Sequence, residues 1–242
     1  IFGYLAGNAI ASGGTYNCLI GNNSGNDITT GDFNTAIGSY NTLHKLATGV
    51  RNMAIGAGAL ATADAAESDN IAIGYDALGN LNEDGALKNI AIGNYAGDGM
   101  GAYASLHNVF IGYSSGGGTF GAVSSGNIGI GTNTLDAALN DGNHNVAIGY
   151  AALSSNTSGE YNIGIGMDSC SLVTVGDSNI GIGATALDAQ VDGSHNIAIG
   201  YGTLGDLNHA DADANIAIGS YAGNTGESED LGNALKNTLI GY

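Results

Sequence analysis

Asn70-Ile71-Ala72-Ile73-Gly74-Tyr75-Asp76-Ala77-Leu78 returns almost unchanged as Asn145-Val146-Ala147-Ile148-Gly149-Tyr150-Ala151-Ala152-Leu153. The first five residues follow the form Asn-x-x-Ile-Gly. That pentad occurs thirteen times, from Asn17–Gly21 to Asn237–Gly241, at spacings of 17 to 22 residues. Ile1-Phe2-Gly3 reads as the tail of one more copy. A short, persistent period is the mark of a solenoid, in which each repeat contacts only its neighbours. Residues 1–242 are therefore expected to form a single continuous stack.

Numbering each repeat from its Asn as position zero makes the local structure legible. Position three is Ile in all thirteen copies and position four is always Gly. Position one is mostly β-branched and position two mostly Ala or Gly, with Leu19, Phe110 and Leu239 as exceptions. Large and small residues alternate with the period of a strand. About 18 residues at ~3.3 Å each give a contour near 60 Å, enough for two short strands and two turns per coil. The expectation is an all-β chain, a β-solenoid or β-roll of 13–14 coils with a 17–22 residue repeat. The branched face is predicted to fill the interior, with Ile73, Ile92, Ile111, Ile130, Ile148, Ile165, Ile182 and Ile199 as core. The bare face is predicted to meet other chains, at Gly74, Gly93, Gly149, Gly166 and Gly183. Position eight is mostly Leu or Gly, and a variable polar stretch follows. Glycines three residues before the next Asn, such as Gly31, Gly159 and Gly176, suit a turn with positive φ. Leucine-rich and α-helical repeats are excluded by spacing and composition.

The Asn at position zero predicts a ladder of side-chain amides through Asn70, Asn89, Asn108, Asn127, Asn145, Asn162, Asn179 and Asn196. None of the motif asparagines has Ser or Thr two residues on, so glycosylation does not explain them.

Composition narrows the function. The chain holds 43 Gly and no Pro or Trp, which excludes collagen and fits repeated tight turns. Its net charge of −18 comes from 22 acids against Lys45, Arg51, Lys88 and Lys236. Such a field repels nucleic acid and anionic lipid, and no apolar run reaches the ~20 residues that span a bilayer. The chain starts without Met and begins and ends within a repeat, as a piece of a longer protein would. Cys18 and Cys170 read as small apolar residues, several rungs too far apart to bridge.

The string Asn-x-Ala-Ile-Gly-Tyr-x-Ala-Leu resembles the repeats of bacteriophage tail-fibre shafts. It is also similar to the head repeats of trimeric autotransporter adhesins, whose period is shorter. The resemblance covers nearly the whole chain. It implies a homotrimer of β-solenoids on a virion or bacterial cell surface. The longer period and the acidic loops favour the phage-type likeness.

Candidate chemistry is sparse. Carboxylate pairs at Glu83-Asp84 and Glu229-Asp230 suggest glycan cleavage, but a solvated acidic surface explains them as well. Asp141, Asp177 and Asp192 sit beside turn residues and are candidates for calcium, in competition with plain turn formation. His144 and His195 are three rungs, about 14 Å, apart and cannot share a metal. Tyr75, Tyr113, Tyr150, Tyr201 and Tyr242 at position five suit a stacking ladder or a sugar-contacting stripe. No nucleophile with a matching base and no phosphate loop is seen, so no enzyme activity and no cofactor beyond calcium is expected. The expected role is the shaft of an extended extracellular fibre, phage tail-fibre-like, that presents a receptor-binding region. The alternative is a bacterial adhesin or self-assembling filament that binds glycans or surfaces directly. Ice binding, which needs regular Thr ranks, is not supported by scattered Thr35, Thr42, Thr132, Thr134 and Thr203.

Overall fold

A computed structural model describes residues 2–10, 13–64, 66–82, 85–207, 212–224 and 236–241. The pairs Glu83-Asp84 and Glu229-Asp230, and Tyr242, lie outside the described residues. The chain is an all-β solenoid. Thirteen three-residue strands, from β1 (Cys18–Ile20) to β13 (Thr238–Ile240), form one parallel sheet in chain order. Each pentad lies on the next without a shift. In β8 (Val146–Ile148) and β9 (Ile163–Ile165), for example, Ala147 faces Gly164 and Ile148 faces Ile165.

One strand per coil is found rather than the two expected. The opposite wall is a run of turns, because positions six and eight repeatedly take the left-handed conformation. Asp76 and Leu78 (φ 50° and 48°), Ala151 and Leu153 (51° and 50°), and Asp168 and Cys170 (both 54°) are examples. Left-handed residues cannot continue a strand. Their backbone groups still bond from rung to rung. Asp76 N–H donates to the Ala57 carbonyl (3.0 Å) and Leu78 N–H to the Ala96 carbonyl (2.9 Å).

The interior is the reverse of the sequence expectation. Position two points inward: Ala72, Ala147, Ala198 and Phe110 are fully buried. Position eight meets it from the opposite wall with Leu60, Leu78, Leu135, Leu153, Leu187 and Leu204. A third inward rank comes from the polar stretch, where Ile28, Leu81, Met100, Phe120, Leu139 and Val173 are buried. The predicted core residues Ile73, Ile92, Ile111, Ile130, Ile148, Ile165, Ile182 and Ile199 stand on the outside of the same strands, half-buried or exposed. The reason is volume. Leucines on the turn wall fill a flattened coil and leave room opposite only for Ala or Gly.

Where position two is large, position eight gives way. Leu19 lies between Gly7 and Gly25, and Phe110 between Gly97 and Gly116. A Cβ on Gly25 would stand 2.7 Å from a Leu19 methyl, one on Gly116 2.7 Å from the Phe110 ring, and one on Gly223 2.9 Å from Leu239. Phe110 is thus matched by glycine on its own rung and on the rung before, Leu19 by Gly25 on its own rung, and Leu239 by Gly223 on the rung before.

The asparagines close the coil. Asn70, Asn89, Asn108, Asn127, Asn145, Asn162, Asn179 and Asn196 are all buried. Asn162 N–H donates to Oδ1 of Asn145 (2.8 Å), while Asn162 Nδ2 donates to the Gly176 carbonyl (2.7 Å). The same pair of bonds recurs along the stack, as at Asn70 and Asn179. Donor and acceptor of each buried amide are both used, which removes the cost of burying it. Gly31, Gly159 and Gly176, the carbonyl partners, are not at positive φ. They are glycine because a Cβ would overlap the carbonyl of Gly49, Gly176 and Gly193 respectively, one rung on.

Several carboxyls of the polar turns are raised by burial, among them Asp98, Asp136 and Asp188. Asp98 begins the short 3-10 turn Asp98–Met100 and is half-buried. It accepts from Asn80 Nδ2 at 2.9 Å. Burial, then the charge of Asp76, pushes its carboxyl up to about 6. A raised carboxyl favours the folded state while protonated, so its benefit is complete below about pH 4 and fades as pH rises through 6. Asp98→Asn is expected to raise stability at pH 7.5 by on the order of 1 kcal/mol, after allowance for partial exposure, and to change little at pH 4. Urea melts at the two pH values check this.

Candidate functional site

The outer face of the sheet is the feature that calls for a function. Positions one and three form two parallel ranks of mainly Ile and Val along all thirteen strands. Ile92, Ile130, Ile182 and Ile199 keep 36–38% of their surface exposed. Single exposed isoleucines are ordinary, whereas a continuous apolar strip some 60 Å long is not.

Two further ranks flank the strip. Position minus one, just before each Asn, carries Arg51, Asp69, Lys88, His107, His144 and His195 among others. Every described residue at this position has positive φ, including Tyr16 (58°), Arg51 (59°), His144 (58°) and Lys236 (59°). This rank turns the corner into the strand. Position five, on the other edge, carries Tyr75, Tyr113, Tyr150 and Tyr201, exposed at 43–56%.

Charge divides between this face and the rest of the surface. The four outer ranks hold Arg51, Lys88 and Lys236 and a single acid, Asp69. Their formal charge is thus +2, against a chain total of −18, so the remaining positions carry −20. Asp69 is itself neutralised: Arg51 Nε and Nη2 donate to its two oxygens at 2.5 and 2.9 Å. That fork holds the Asp69 carboxyl below its usual range and the Arg51 guanidinium above its own. The face measures about 60 by 20 Å, or on the order of 1,200 Å², against ~800 Å² per partner in a standard interface.

The glycines expected at an inter-chain contact have a different cause. Gly74, Gly93, Gly149, Gly166 and Gly183 have φ between 133° and 140°. A Cβ on any of them would overlap the backbone of the next rung's Gly, as at Gly74 on Gly93 and Gly149 on Gly166. They are required by stacking within one chain, and the small residues of position two lie inside the coil.

The calcium candidates are dispersed. Asp177 Oδ1 accepts from the Glu160 N–H (2.8 Å), and Asp192 Oδ1 from Thr174 Oγ1 (3.2 Å). Asp141 is exposed at a left-handed turn, where its carbonyl accepts from Asn143 Nδ2 (2.6 Å). Among the described residues no three His, Cys, Asp or Glu side chains converge as a metal would need.

The tyrosines do not form one column. Tyr95, at position six, bridges Tyr75 and Tyr113 edge-on, with centroids at 5.4 and 5.9 Å. Tyr201 meets Tyr221 in the same way at 5.2 Å. On the opposite edge Tyr16 stacks on Phe33 (4.9 Å) and His144 on Tyr161 (5.3 Å).

No helix among the described residues is long and apolar enough to cross a membrane. Comparison with protein families, with curated proteins and with solved structures yields no match.

Proposed function

We propose that this chain is a structural segment, the shaft of an extended extracellular fibre of the phage tail-fibre type, built by self-association through the isoleucine face. One observation carries this reading. An apolar strip with almost no acids runs the length of a chain of net charge −18. A solvated face of so acidic a protein would share its carboxylates. A face meant for copies of itself must exclude them, because like charges brought together in a low-dielectric contact repel strongly. Closure of the faces around an axis, as in the homotrimer implied by the tail-fibre resemblance, would bury every copy of the strip. The unbroken backbone ladder then supplies stiffness. The role is mechanical, with no enzyme activity, at a virion or cell surface. It holds a receptor-binding region at a distance of about 60 Å for thirteen rungs. In the adhesin alternative the exposed tyrosines would contact glycans directly, and a glycan array on the isolated chain separates the two.

Ile165→Asp tests the reading. Ile165 is half-buried on the outer face, so the substitution is expected to cost the single chain about 1 kcal/mol or less. It should abolish association by placing a charge in the apolar contact. Light scattering and circular dichroism on the variant check both halves. Loss of the fold would show that Ile165 is core after all, and unchanged association would remove the face as the interface.

A further inference from the structure

The rungs repeat one outline, and a pocket opens where the chain departs from it. The rung that starts at Asn89 carries the one 3-10 turn among the described residues, Asp98–Met100. Gly101 follows it in a left-handed conformation (φ 51°). A Cβ on Gly101 would meet no atom nearer than 3.7 Å, so its missing side chain leaves open space. The pocket there holds about 270 Å³, and Thr62, Asn80, Asn82, Asp98 and Thr119, from successive rungs, supply its polar walls. None of these residues belongs to the four outer ranks, so the self-association proposed above does not use them.

The polar atoms are matched to one kind of ligand. Thr62 Oγ1 donates to the Gly79 carbonyl (2.8 Å), and Asn80 Nδ2 donates to Asp98 Oδ1 (2.9 Å). With those donors spent, the Asp98 carboxylate, Asn80 Oδ1 and Thr62 Oγ1 offer acceptors to the pocket. No Lys, Arg or His lines it. Asp98 is half-buried, and Asp76 adds negative charge beside it. A Cβ on Gly79 would stand 3.1 Å from Asp98 Oδ1 and 3.3 Å from Asp76 Cβ. A carboxyl kept at a cost to stability, where Asn would fold better, is a candidate for binding.

Acceptors around one negative charge suit an ammonium group, which brings three donors and one positive charge. A calcium ion takes about six to eight oxygens and would find a single carboxylate on these walls. A guanidinium forks onto both oxygens of a carboxylate, and Asn80 already holds one of them. A bare ammonium ion would leave most of the pocket empty, so an aliphatic stem completes the fit, with Gly101 and Ala102 as its floor.

We propose that this pocket binds a small aliphatic primary amine, its ammonium group on Asp98, Asn80 and Thr62 and its stem over Gly101 and Ala102. Free amines and lysine side chains share that chemistry.

Titration with n-butylamine at neutral pH, followed by ligand-observed NMR, tests the site. Salt at ~0.15 M screens loosely held counterions. Saturable binding is expected. The uncharged isostere 1-butanol should bind at least about tenfold more weakly, as for a lost hydrogen bond to a charged group. Asp98→Asn, and Ala102→Leu, which fills the pocket, should each weaken binding by a similar factor. Asp188→Asn removes another half-buried carboxyl, outside the pocket, and should leave binding unchanged. No saturable binding, or equal binding of 1-butanol, overturns the proposal. So does equal weakening by Asp98→Asn and Asp188→Asn, the mark of cations condensed along the whole acidic rod. An Nα-acetyl-lysine amide in the same titration separates the sources. Binding as tight as that of n-butylamine points to a lysine side chain, and its rejection to a free amine. Light scattering of the same variants should not change, so failure of the pocket leaves the self-association reading intact.

Discussion

Phe110→Ala is expected to cost about 3–5 kcal/mol, as for a buried aromatic emptied to a cavity, and Gly116→Leu in the same chain should recover most of that loss. Alone, Gly116→Leu should also destabilise, because its Cβ would sit 2.7 Å from the Phe110 ring. The two substitutions together recreate the arrangement of rungs such as Ala54 with Leu60 and Ala72 with Leu78, Ala at position two facing Leu at position eight. Leu tolerates the left-handed backbone there: Leu60, Leu78 and Leu135 already adopt φ near 50°. A double-mutant cycle from urea melts measures the coupling. Strictly additive losses would show that the two positions do not share one volume.

Gly149→Val is expected to prevent folding of the chain, and not merely its association. At φ 133° a side chain is strained by the backbone itself. Its Cβ would also overlap the carbonyl of Gly166, the residue whose N–H belongs to the rung ladder. Neither partner can move without breaking the hydrogen bond from Gly166 N–H to the Ile148 carbonyl (2.8 Å). Strain of a few kcal/mol and a lost stack together exceed what a marginally stable domain tolerates. Circular dichroism at high dilution separates the outcomes. A folded monomer of the Gly149→Val chain would return this glycine to the role of an inter-chain contact.

The fold could be read from the thirteen pentads, because a fixed period with strand alternation admits few architectures. The parallel unshifted register follows from the same repetition, and buried Asn at position zero gives each rung its amide bonds. Which side of the strand faces inward could not be read from the strand alone. Alternation reports a period of two, and here neither set of residues is charged, so polarity casts no vote. The deciding residues lay elsewhere, in the position-eight leucines and in Leu81, Met100 and Phe120, which look like stray apolar residues of a polar loop. Once they fill the coil, Ile73 and its equivalents have no room inside. The apolar outer face is hidden in the sequence for a related reason. Its signal is the near-absence of acids from four ranks, which emerges only when residues are sorted by rung position.

The exchange of volume between positions two and eight bears on how such a chain can change over generations. Phe110 needs Gly116 on its own rung and Gly97 on the rung before. A genetic event that deletes or duplicates one repeat cuts between rungs, and not all cuts are equal. Removing the repeat that starts at Asn89 would set Phe110 against Leu78 in place of Gly97. Among rungs that set Ala or Gly at position two against Leu at position eight, whole repeats can be gained or lost with little penalty. Length can therefore drift in some stretches of the rod, while the Phe110 pair is inherited as one block.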